Sequence, residues 1–399
     1  MRQIGLLKSC LALAAYFICA DSVAQIPGLA PQKNWDLSGY IKYVGSANLP
    51  DDYAHSYDHL LHQRFNYEYR FNSQLRFNAG MRNRLMAGDT AELPGYADFI
   101  DNDPGYLDLS ANWLDKNGVL GSSQFDRLYL DWSNQEWQAR LGRSRINWAM
   151  TTLWNPNDIF NSYSIYDFDY EERAGSDSIL LKRKLDFASS VEVVYNPSQD
   201  SDLNSYAGRY LFNQKGWDMQ LLAGKSYLDH VLGGGFAGDI RGAGLRGEVT
   251  WFEPTQDSWF NDVENIELKS ALLASIESDY SFGGRRNWMG RAAALYISEP
   301  QEQNSAAEFL NLPLTARTLS FSRMTYYSDL SFDISSLSRL TFSGSYYSDG
   351  SYYIGLTNSY SLADNWQLLM VLQRFDGVSG SLFGETPSIL AFAQLKWSF

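Results

Sequence analysis

Two neighbouring stretches of alternating polarity, residues 61–71 and 75–85, constrain the fold more than any other part of the sequence. In each stretch apolar or aromatic residues alternate with charged or polar ones, the period of a β-strand with one apolar face. The apolar residues are Leu61, Phe65, Tyr67, Tyr69, Phe71, Leu75, Phe77, Ala79, Met81 and Leu85. The three residues between the stretches predict a hairpin turn that pairs Tyr69 with Phe77 and keeps the apolar side chains on one side.

The length of each arm is the second constraint. Roughly a dozen residues is long for a strand of a soluble protein and suits a tilted strand that crosses lipid. A half-buried antiparallel sheet in a soluble β protein would show the same alternation. The hairpin therefore leaves two fold classes open, and the rest of the chain has to decide between them.

The first 24 residues predict a secretory signal peptide. A positively charged start is followed by a short apolar run and by small residues that favour cleavage after Ala24. Both cysteines, Cys10 and Cys19, lie in this segment. The mature chain is therefore expected to contain no disulfide and no cysteine metal site.

The mature sequence favours a membrane barrel. No stretch after Ala24 approaches the apolar length of a membrane helix, and lipid can satisfy the backbone of a sheet only if the sheet closes. Aromatic residues make up 15% of the chain, as expected for two aromatic girdles. The last strand carries Leu395, Trp397 and the terminal Phe399 on one side. This ending resembles the assembly signal of bacterial outer-membrane barrels.

The predicted fold class is all-β: a transmembrane antiparallel β-barrel of about 18 strands, or 16 if neighbouring stretches are merged. Short turns alternate with long connections, which include residues 87–123 and 148–177. This asymmetry is typical of periplasmic turns and external loops. The glycine-rich residues 230–252 predict two strands with kinks or close backbone approach. No linker interrupts the pattern, so residues 25–399 are predicted to form a single domain.

Basic residues gather on the polar faces of the early strands. On the lipid side near the membrane centre each would cost roughly 2–4 kcal/mol, so the polar faces should line the lumen. We therefore predict a basic wall along the pore, although single arginines near strand ends would also suit ion pairs with neighbouring carboxylates or lipid headgroups. Its predicted members are Arg64, Arg76, Arg82, Arg127, Arg140, Arg143, Arg145 and Lys182.

Residues 148–177 combine acidic and apolar side chains in one long connection. Acidic loops are usually solvated surfaces, but so many apolar side chains are poorly suited to free solution. We therefore predict that this segment folds into the lumen, faces the basic wall and narrows the pore. The residues assigned to the constriction are Trp148, Trp154, Asn155, Pro156, Asp158, Phe160, Asp167, Asp169, Glu171, Glu172 and Arg173.

A motif in this region resembles porin-like bacterial outer-membrane proteins of poorly defined substrate. The sequence LGRSRINWAMTTLWNPNDIFN at 141–161 is followed by YDFDYEERAGSD at 166–177. In that group a strand ending in Gly-Arg-x-Arg-Ile-x-Trp runs into Asn-Pro-x-Asp-x-Phe-Asn and then Glu-Glu-Arg-x-Gly-x-Asp. The group often has glycine where this chain has Ala149. The resemblance implies an outer-membrane channel but names no solute.

The predicted function is passive diffusion of small hydrophilic or anionic solutes across the bacterial outer membrane. A barrel that exports or binds a polysaccharide is the main alternative. An outer-membrane hydrolase is less favoured, because no nucleophile elbow or zinc-helix motif appears and His55 and His59 fit an exposed loop.

The expected partners follow from this function. They are outer-membrane lipid and lipopolysaccharide, the barrel-assembly machinery and small hydrophilic solutes, and homo-oligomerisation stays open. No cofactor or metal is expected. A net charge of −14 argues against nucleic-acid binding.

Overall fold

The computed structural model describes residues 33–103, 105–162, 175–260, 265–301, 303, 305–311 and 315–399. The predicted signal peptide, residues 1–24, lies outside these ranges. A compact unit from Trp35 to Phe399 contains all strands described below. Within the described ranges, no helix is long and apolar enough to cross a membrane.

The chain is built almost entirely from strands. The first are β1 Trp35–Pro50, β2 Ser56–Arg70, β3 Leu75–Gly88, β4 Ser110–Lys116, β5 Val119–Ser133, β6 Trp137–Ser144, β7 Ser176–Lys184, β8 Ser190–Asn196, β9 Ser205–Gln214 and β10 Trp217–Ser226. The others are β11 Asp229–Ile240, β12 Ala243–Pro254, β13 Ser258–Phe260, β14 Asn265–Glu267, β15 Ala271–Gly283, β16 Trp288–Ile297, β17 Met324–Ser335, β18 Ser338–Tyr347, β19 Ser351–Ala363, β20 Trp366–Gly377 and β21 Ser388–Ser398. Two short helices, α1 Tyr96–Asp101 and α2 Ala306–Asn311, and two 3₁₀ turns, Thr90–Glu92 and Ser201–Leu203, lie in the connections.

Eighteen of these strands close into an antiparallel barrel, which confirms the predicted fold class and strand number. The barrel closes where β1 pairs with β21, and no sheet edge is left open there. Strand β4 is a nineteenth strand of this sheet. It pairs with residues 119–124 of β5, whereas β6 pairs with residues 128–133 of β5. Strands β13 and β14 form a separate small hairpin between β12 and β15.

The two rims of the barrel differ in their connections. One rim holds Trp35 and Phe399, and its strands are joined by short turns such as residues 71–74 and 241–242. We call it the turn end. The opposite rim, the loop end, carries the long connections 89–118, 145–175 and 298–323. This arrangement has the asymmetry predicted from the sequence.

The outer face of the wall is apolar and exposed. On β10 and β11, Leu221 and Leu232 are 59% and 65% exposed, whereas their strand neighbours Gln220 and Leu222 are buried and point inward. The same alternation recurs around the barrel. An apolar surface of this extent is stable in contact with lipid, not with water.

The predicted register of the first hairpin is confirmed, with Tyr69 opposite Phe77 and the apolar side chains of both arms on the outer face. The glycine-rich residues 230–252 form β11 and β12, as predicted. The alternation in the sequence also predicts strands that begin at Ile266 and at Thr318, and both starts are too early. Strand β15 begins at Ala271 rather than Ile266, and β17 begins at Met324 rather than Thr318, because the preceding residues belong to loop-end connections.

Candidate functional site: the narrowed lumen

Residues 145–162 leave the wall after β6 and cross the inside of the barrel. Near the start of this segment, the indole nitrogen of Trp148 donates a hydrogen bond of 2.8 Å to Glu192 on β8. Further along, the ring of Trp154 meets Tyr327 on β17 edge-on, with 6.3 Å between ring centroids. The described part of the predicted constriction loop therefore lies against the inner faces of strands β8 to β17. We call residues 145–162 the inner segment.

Two glutamates of the wall hold the backbone of the inner segment. Glu248 on β12 accepts hydrogen bonds from the backbone N–H groups of Met150, Thr151 (2.8 Å) and Asn157 (2.9 Å). Glu277 on β15 accepts bonds from the backbone N–H and the hydroxyl of Thr152, at 2.8 and 2.6 Å. These N–H groups have no strand partner, and an unpaired buried N–H is costly, so the carboxylates fix the path of the segment.

The glycine-rich strand β11 makes room for the inner segment. The side-chain amide of Asn157 donates to the carbonyl of Gly234 at 2.9 Å, and its oxygen accepts from the hydroxyl of Thr250 at 2.6 Å. A Cβ atom at Gly233 would lie 2.6 Å from that oxygen, and one at Gly235 would lie 3.0 Å from the amide nitrogen. The close backbone approach predicted for this strand is therefore the approach of Asn157.

The inner segment and the wall share an apolar core inside the barrel. It combines Ile146, Trp148, Leu153, Trp154, Ile159 and Phe160 with the inward-pointing Leu180, Val194, Leu222, Val231, Phe252, Leu273, Leu295 and Ile297. The prediction that polar strand faces line the lumen does not extend to this side, where apolar wall residues point inward as well. The physical reason is that the segment covers these positions and keeps them from water.

Described residues of a second connection, between β16 and β17, also pack against the inner wall, which was not predicted. Leu319 joins the core around the inner segment. Phe309 and Phe321 pack against Tyr347 and Phe383 in another buried cluster. The signal used for 148–177, apolar side chains in a long connection, is present here too and would have identified it.

Arg143, at the end of β6, binds Asp177 at the start of β7 and so links the two ends of the connection that contains the inner segment. Its guanidinium binds both carboxylate oxygens of Asp177 at 2.9 and 2.8 Å, Asp103 at 2.6 Å, and the carbonyls of Phe125 (3.2 Å) and Leu107 (2.6 Å). These five bonds use all five N–H donors of an arginine. The sequence places Arg143 in the basic wall, whereas the structure places it in this buried network, which joins residues 103–109 to both ends of the connection between β6 and β7.

Asp103 shows how tightly this network is held. Burial alone would raise the pKa of Asp103, but hydrogen bonds from Arg143 and from the backbone N–H groups of Gly105 and Leu109 outweigh it and hold the pKa below its ordinary value. The carboxylate is therefore charged at neutral pH. Its contribution to stability is present above the ordinary aspartate pKa and is lost as the pH falls through the lowered value.

Arg64 and Arg127 lie together on the inner face because of a β-bulge. Strand β5 has one unpaired residue, Asp126, between the residues that pair with Gly80 and Met81. The extra residue lets Asp126 and Arg127 both point inward. Arg64 binds the two oxygens of Asp126 at 2.6 and 2.9 Å, and both side chains are almost fully buried.

A row of basic residues crosses the inner face where the barrel closes. Lys396 on β21 pairs with Lys42 on β1, Lys42 with His62 on β2, and His62 with Arg84 on β3. With strands about 4.8 Å apart, the row spans roughly 14 Å. We call these residues the basic row. Lys42, His62 and Lys396 were not among the predicted pore residues. Lys396 joins the row because closure of the barrel brings the last strand beside the first.

The remaining residues of the predicted wall also lie on the inner face, apart from Arg145 in the inner segment. Arg82 binds Gln124 and pairs across the strands with Arg64. The others make ion pairs or backbone contacts: Arg140 with Asp131 at 3.0 Å and with the carbonyl of Arg145 at 3.4 Å, Arg76 with Glu68 at 3.9 Å, and Lys182 with Glu192 at 2.9 Å. Arg64, Arg82 and the basic row thus occupy adjacent positions of the inner face, which we call the basic surface; Lys42, His62 and Arg64 are buried in it, whereas Arg82, Arg84 and Lys396 are partly exposed. Lys182 sits apart from it beside the inner segment.

Six of the residues predicted for the constriction lie in the inner segment. Trp148, Trp154, Asn155, Asp158 and Phe160 are buried in or beside the apolar core. Pro156 belongs to the same described stretch and is also buried. Asp167, Asp169, Glu171, Glu172 and Arg173 lie outside the described residues, so their assignment to the constriction stays a prediction.

The C-terminal strand holds the predicted assembly signal at the closure of the barrel. Leu395 and Trp397 lie on β21, and Phe399 exchanges two backbone hydrogen bonds with Gly39, at 3.0 and 2.9 Å. The Phe399 ring packs against Trp397 and Phe65. Its role as a signal for assembly stays a prediction.

The geometry defines a porin-like barrel: a closed wall with a lipid-facing belt and a lumen narrowed by an inward loop. No protein-family model matches the sequence, and no curated protein sequence matches it. Solved structures do. OccAB4 of Acinetobacter baumannii has a TM-score of 0.56 at 9% identity, covering 93% of this chain and 100% of its own.

Two Pseudomonas aeruginosa structures are similar to the same degree. OpdQ has a TM-score of 0.56 at 9% identity, covering 92% of this chain and 99% of its own. OccK8 (OprE) has a TM-score of 0.55 at 10% identity, covering 92% and 98%. At this identity the likeness concerns the fold, and it confirms at that level the resemblance to porin-like outer-membrane barrels.

Glu248 offers a direct test of how the inner segment is held. Replacing it with alanine leaves three buried N–H groups without an acceptor, at about 1–3 kcal/mol each. We expect the segment to detach intermittently in Glu248→Ala, seen as increased flicker of the single-channel current. Glu253→Ala removes a carboxylate from the outer face of the same strand and is the matched control. Equal current noise in the two variants would contradict the anchoring role.

Proposed function

We propose that this chain forms a channel in the bacterial outer membrane for passive diffusion of small hydrophilic or anionic solutes, and that the inner segment narrows it. The observation that carries the proposal is the combination of a closed barrel, an apolar outer belt and an inward loop opposite a basic surface. The loop end would then face outward and the turn end the periplasm.

The basic surface supports a preference for anions. The basic row, Arg64 and Arg82 bring six basic side chains onto adjacent positions of four strands. Asp126 offsets one of these charges through its ion pair with Arg64. A cluster of one sign on a low-dielectric wall raises the local concentration of ions of opposite sign.

Planar-bilayer recordings test the proposal itself. Purified protein should give discrete current steps, and the reversal potential in a salt gradient should show a preference for anions. Folded, purified protein that gives no current steps would rule out an open pore.

Removing charge from the basic row should change ion selectivity. In Lys42→Gln/Lys396→Gln we expect the anion-to-cation permeability ratio to fall by about twofold or more, because two positive charges leave the row. The measurement is the reversal potential across a salt gradient of about tenfold. Arg183→Gln/Lys184→Gln removes two charges from the turn end of β7 and is the control. Equal shifts in both double variants would assign selectivity to overall charge.

The alternative of a polysaccharide exporter or polysaccharide-binding barrel receives no support from the inner tryptophans. Trp148 and Trp154 point inward but are packed in the apolar core, at 0% and 3% exposure, and offer no face to a sugar. Among the described residues, no cluster of three His, Cys, Asp or Glu side chains could hold a metal.

The proposed partners follow from the same surfaces. Lipid and lipopolysaccharide would contact the apolar belt, and the barrel-assembly machinery would recognise β21 with its terminal phenylalanine. Homo-oligomerisation through the outer face is compatible with this proposal.

A further inference from the structure

A cavity of about 380 Å³ lies at the turn end, on the opposite rim from the inner segment. It opens between the turn that joins β17 to β18 and the turn that joins β19 to β20, and it extends to β21. None of its lining residues belongs to the inner segment or to residues 298–323. It shares Lys396 with the basic row but is separate from the inner segment, and in the proposed channel it lies where a solute would leave the barrel.

The lining of this cavity is dominated by hydroxyl groups. Six of its fifteen residues are serines: Ser335, Ser336, Ser338, Ser359, Ser361 and Ser398. Two amides, Asn365 and Gln367, add further donors and acceptors, and Gln367 donates to the hydroxyl of Ser359 at 2.9 Å. A hydroxyl both donates and accepts, so this surface can bind the hydroxyl groups of a ligand in either direction.

The charges around the cavity balance. Two cations, Arg339 and Lys396, are matched by two carboxylates, Asp333 and Asp364. Arg339 donates to Asp333 at 2.7 Å and to the hydroxyl of Ser331 at 2.7 Å. A balanced set of charges gives no strong attraction for a simple ion, but it supplies charge-assisted hydrogen bonds to neutral polar groups.

We propose that this cavity binds a polyhydroxylated solute of about the size of a monosaccharide. The site rests on the proposed channel function, in which it would be the last contact before the periplasm. Recognition comes from hydroxyl groups, so a neutral sugar and its acid bind alike, whereas a chain of similar size without hydroxyl groups does not.

Two measurements on the full-length protein test the site. One is block of the open-channel current by glucose added at the turn end, and the other is calorimetric binding of glucose to the detergent-solubilised barrel. Glucose should block and bind, glucuronate should behave alike, and a polyethylene glycol of similar size with both ends capped as methyl ethers, which has no hydroxyl groups, should do neither. In Ser359→Ala/Ser361→Ala the half-saturating glucose concentration should rise roughly five- to a hundredfold, as expected for two lost hydrogen bonds. Ser278→Ala/Ser328→Ala, which removes two outward-facing hydroxyls, should leave it unchanged.

The outcomes separate the site from the channel. Glucose binding in the calorimeter without current steps would overturn the channel and leave the cavity site standing. Current steps with neither block nor heat of binding would overturn the site and leave the channel standing. Two other results would also overturn recognition through hydroxyl groups. One is equal block by glucose and the polyethylene glycol. The other is block by glucuronate but not by glucose, if it survives in Ser359→Ala/Ser361→Ala.

Discussion

Deleting residues 152–172 should raise the single-channel conductance by about twofold or more, because the described part of this stretch, residues 152–162, lies inside the barrel. Within it, Leu153, Trp154 and Phe160 lie against the inner wall, and the hydroxyl of Thr152 is tied to Glu277. Removing them widens the lumen on the side of β12 to β17. The measurement is conductance in planar bilayers at fixed salt concentration. An unchanged conductance would show that the segment does not narrow the pore.

The deletion uncovers apolar wall residues, so it needs two companions. Deleting residues 258–267 removes β13 and β14, which pair with each other and, among the described strands, with no other, and should leave the conductance unchanged. Gly233→Val keeps the full chain but places a side chain where Asn157 now lies, 2.6 Å from a Cβ at that position. This variant should displace the segment and raise the conductance without shortening the loop. A raised conductance in the deletion but not in Gly233→Val would point to a damaged wall.

Replacing Arg143 with alanine should destabilise the barrel by about 3–5 kcal/mol, the usual cost of removing one partner from a buried ion pair. Both carboxylates that it binds, Asp103 and Asp177, are themselves buried and would be left without their cation. The free energy of unfolding in urea, followed by tryptophan fluorescence in lipid vesicles, measures the effect. We expect the connection between β6 and β7 to loosen as well, so current flicker should increase.

Two further variants separate geometry from charge. Arg143→Lys keeps the positive charge but cannot make five hydrogen bonds in a plane, so its loss of stability should lie between those of the wild type and Arg143→Ala. Arg76→Ala removes an inner-face arginine whose ion pair with Glu68 is 3.9 Å long and half exposed, and it should cost less than about 1 kcal/mol. Similar losses in Arg143→Ala and Arg76→Ala would contradict the structural role of Arg143.

Local alternation along the chain predicted the barrel once the signal peptide, the aromatic content and the terminal strand had excluded a soluble sheet. The register of β2 with β3 follows from the pattern on two arms and a three-residue turn, since a slip of one residue would turn every apolar side chain to the wrong face. The division of 230–252 into β11 and β12 was predicted for the same reason. Residues 318–323 were predicted to begin a strand, but they pack in a loop-end connection instead, so β17 begins at Met324.

The site was only partly predictable. The apolar side chains of 148–177 indicated a loop that folds inward, and the glycines of β11 indicated close backbone approach, but nothing in the sequence linked Gly233 to Asn157. The same limit applies to Arg143. The alternation around Arg143 predicted a side chain that faces the lumen. Its partner Asp177 on β7 lies 34 positions away along the chain.

The sequence by itself determined that this chain forms a closed, membrane-spanning sheet, because lipid-facing and lumen-facing residues must alternate along each strand. Only the tertiary structure decided which charges meet. Lys42 and Lys396 stand side by side because the last strand pairs with the first, and Asp126 reaches Arg64 through a bulge. Contacts of this kind depend on closure and on bulges, which join residues far apart in sequence and leave no periodic trace in it.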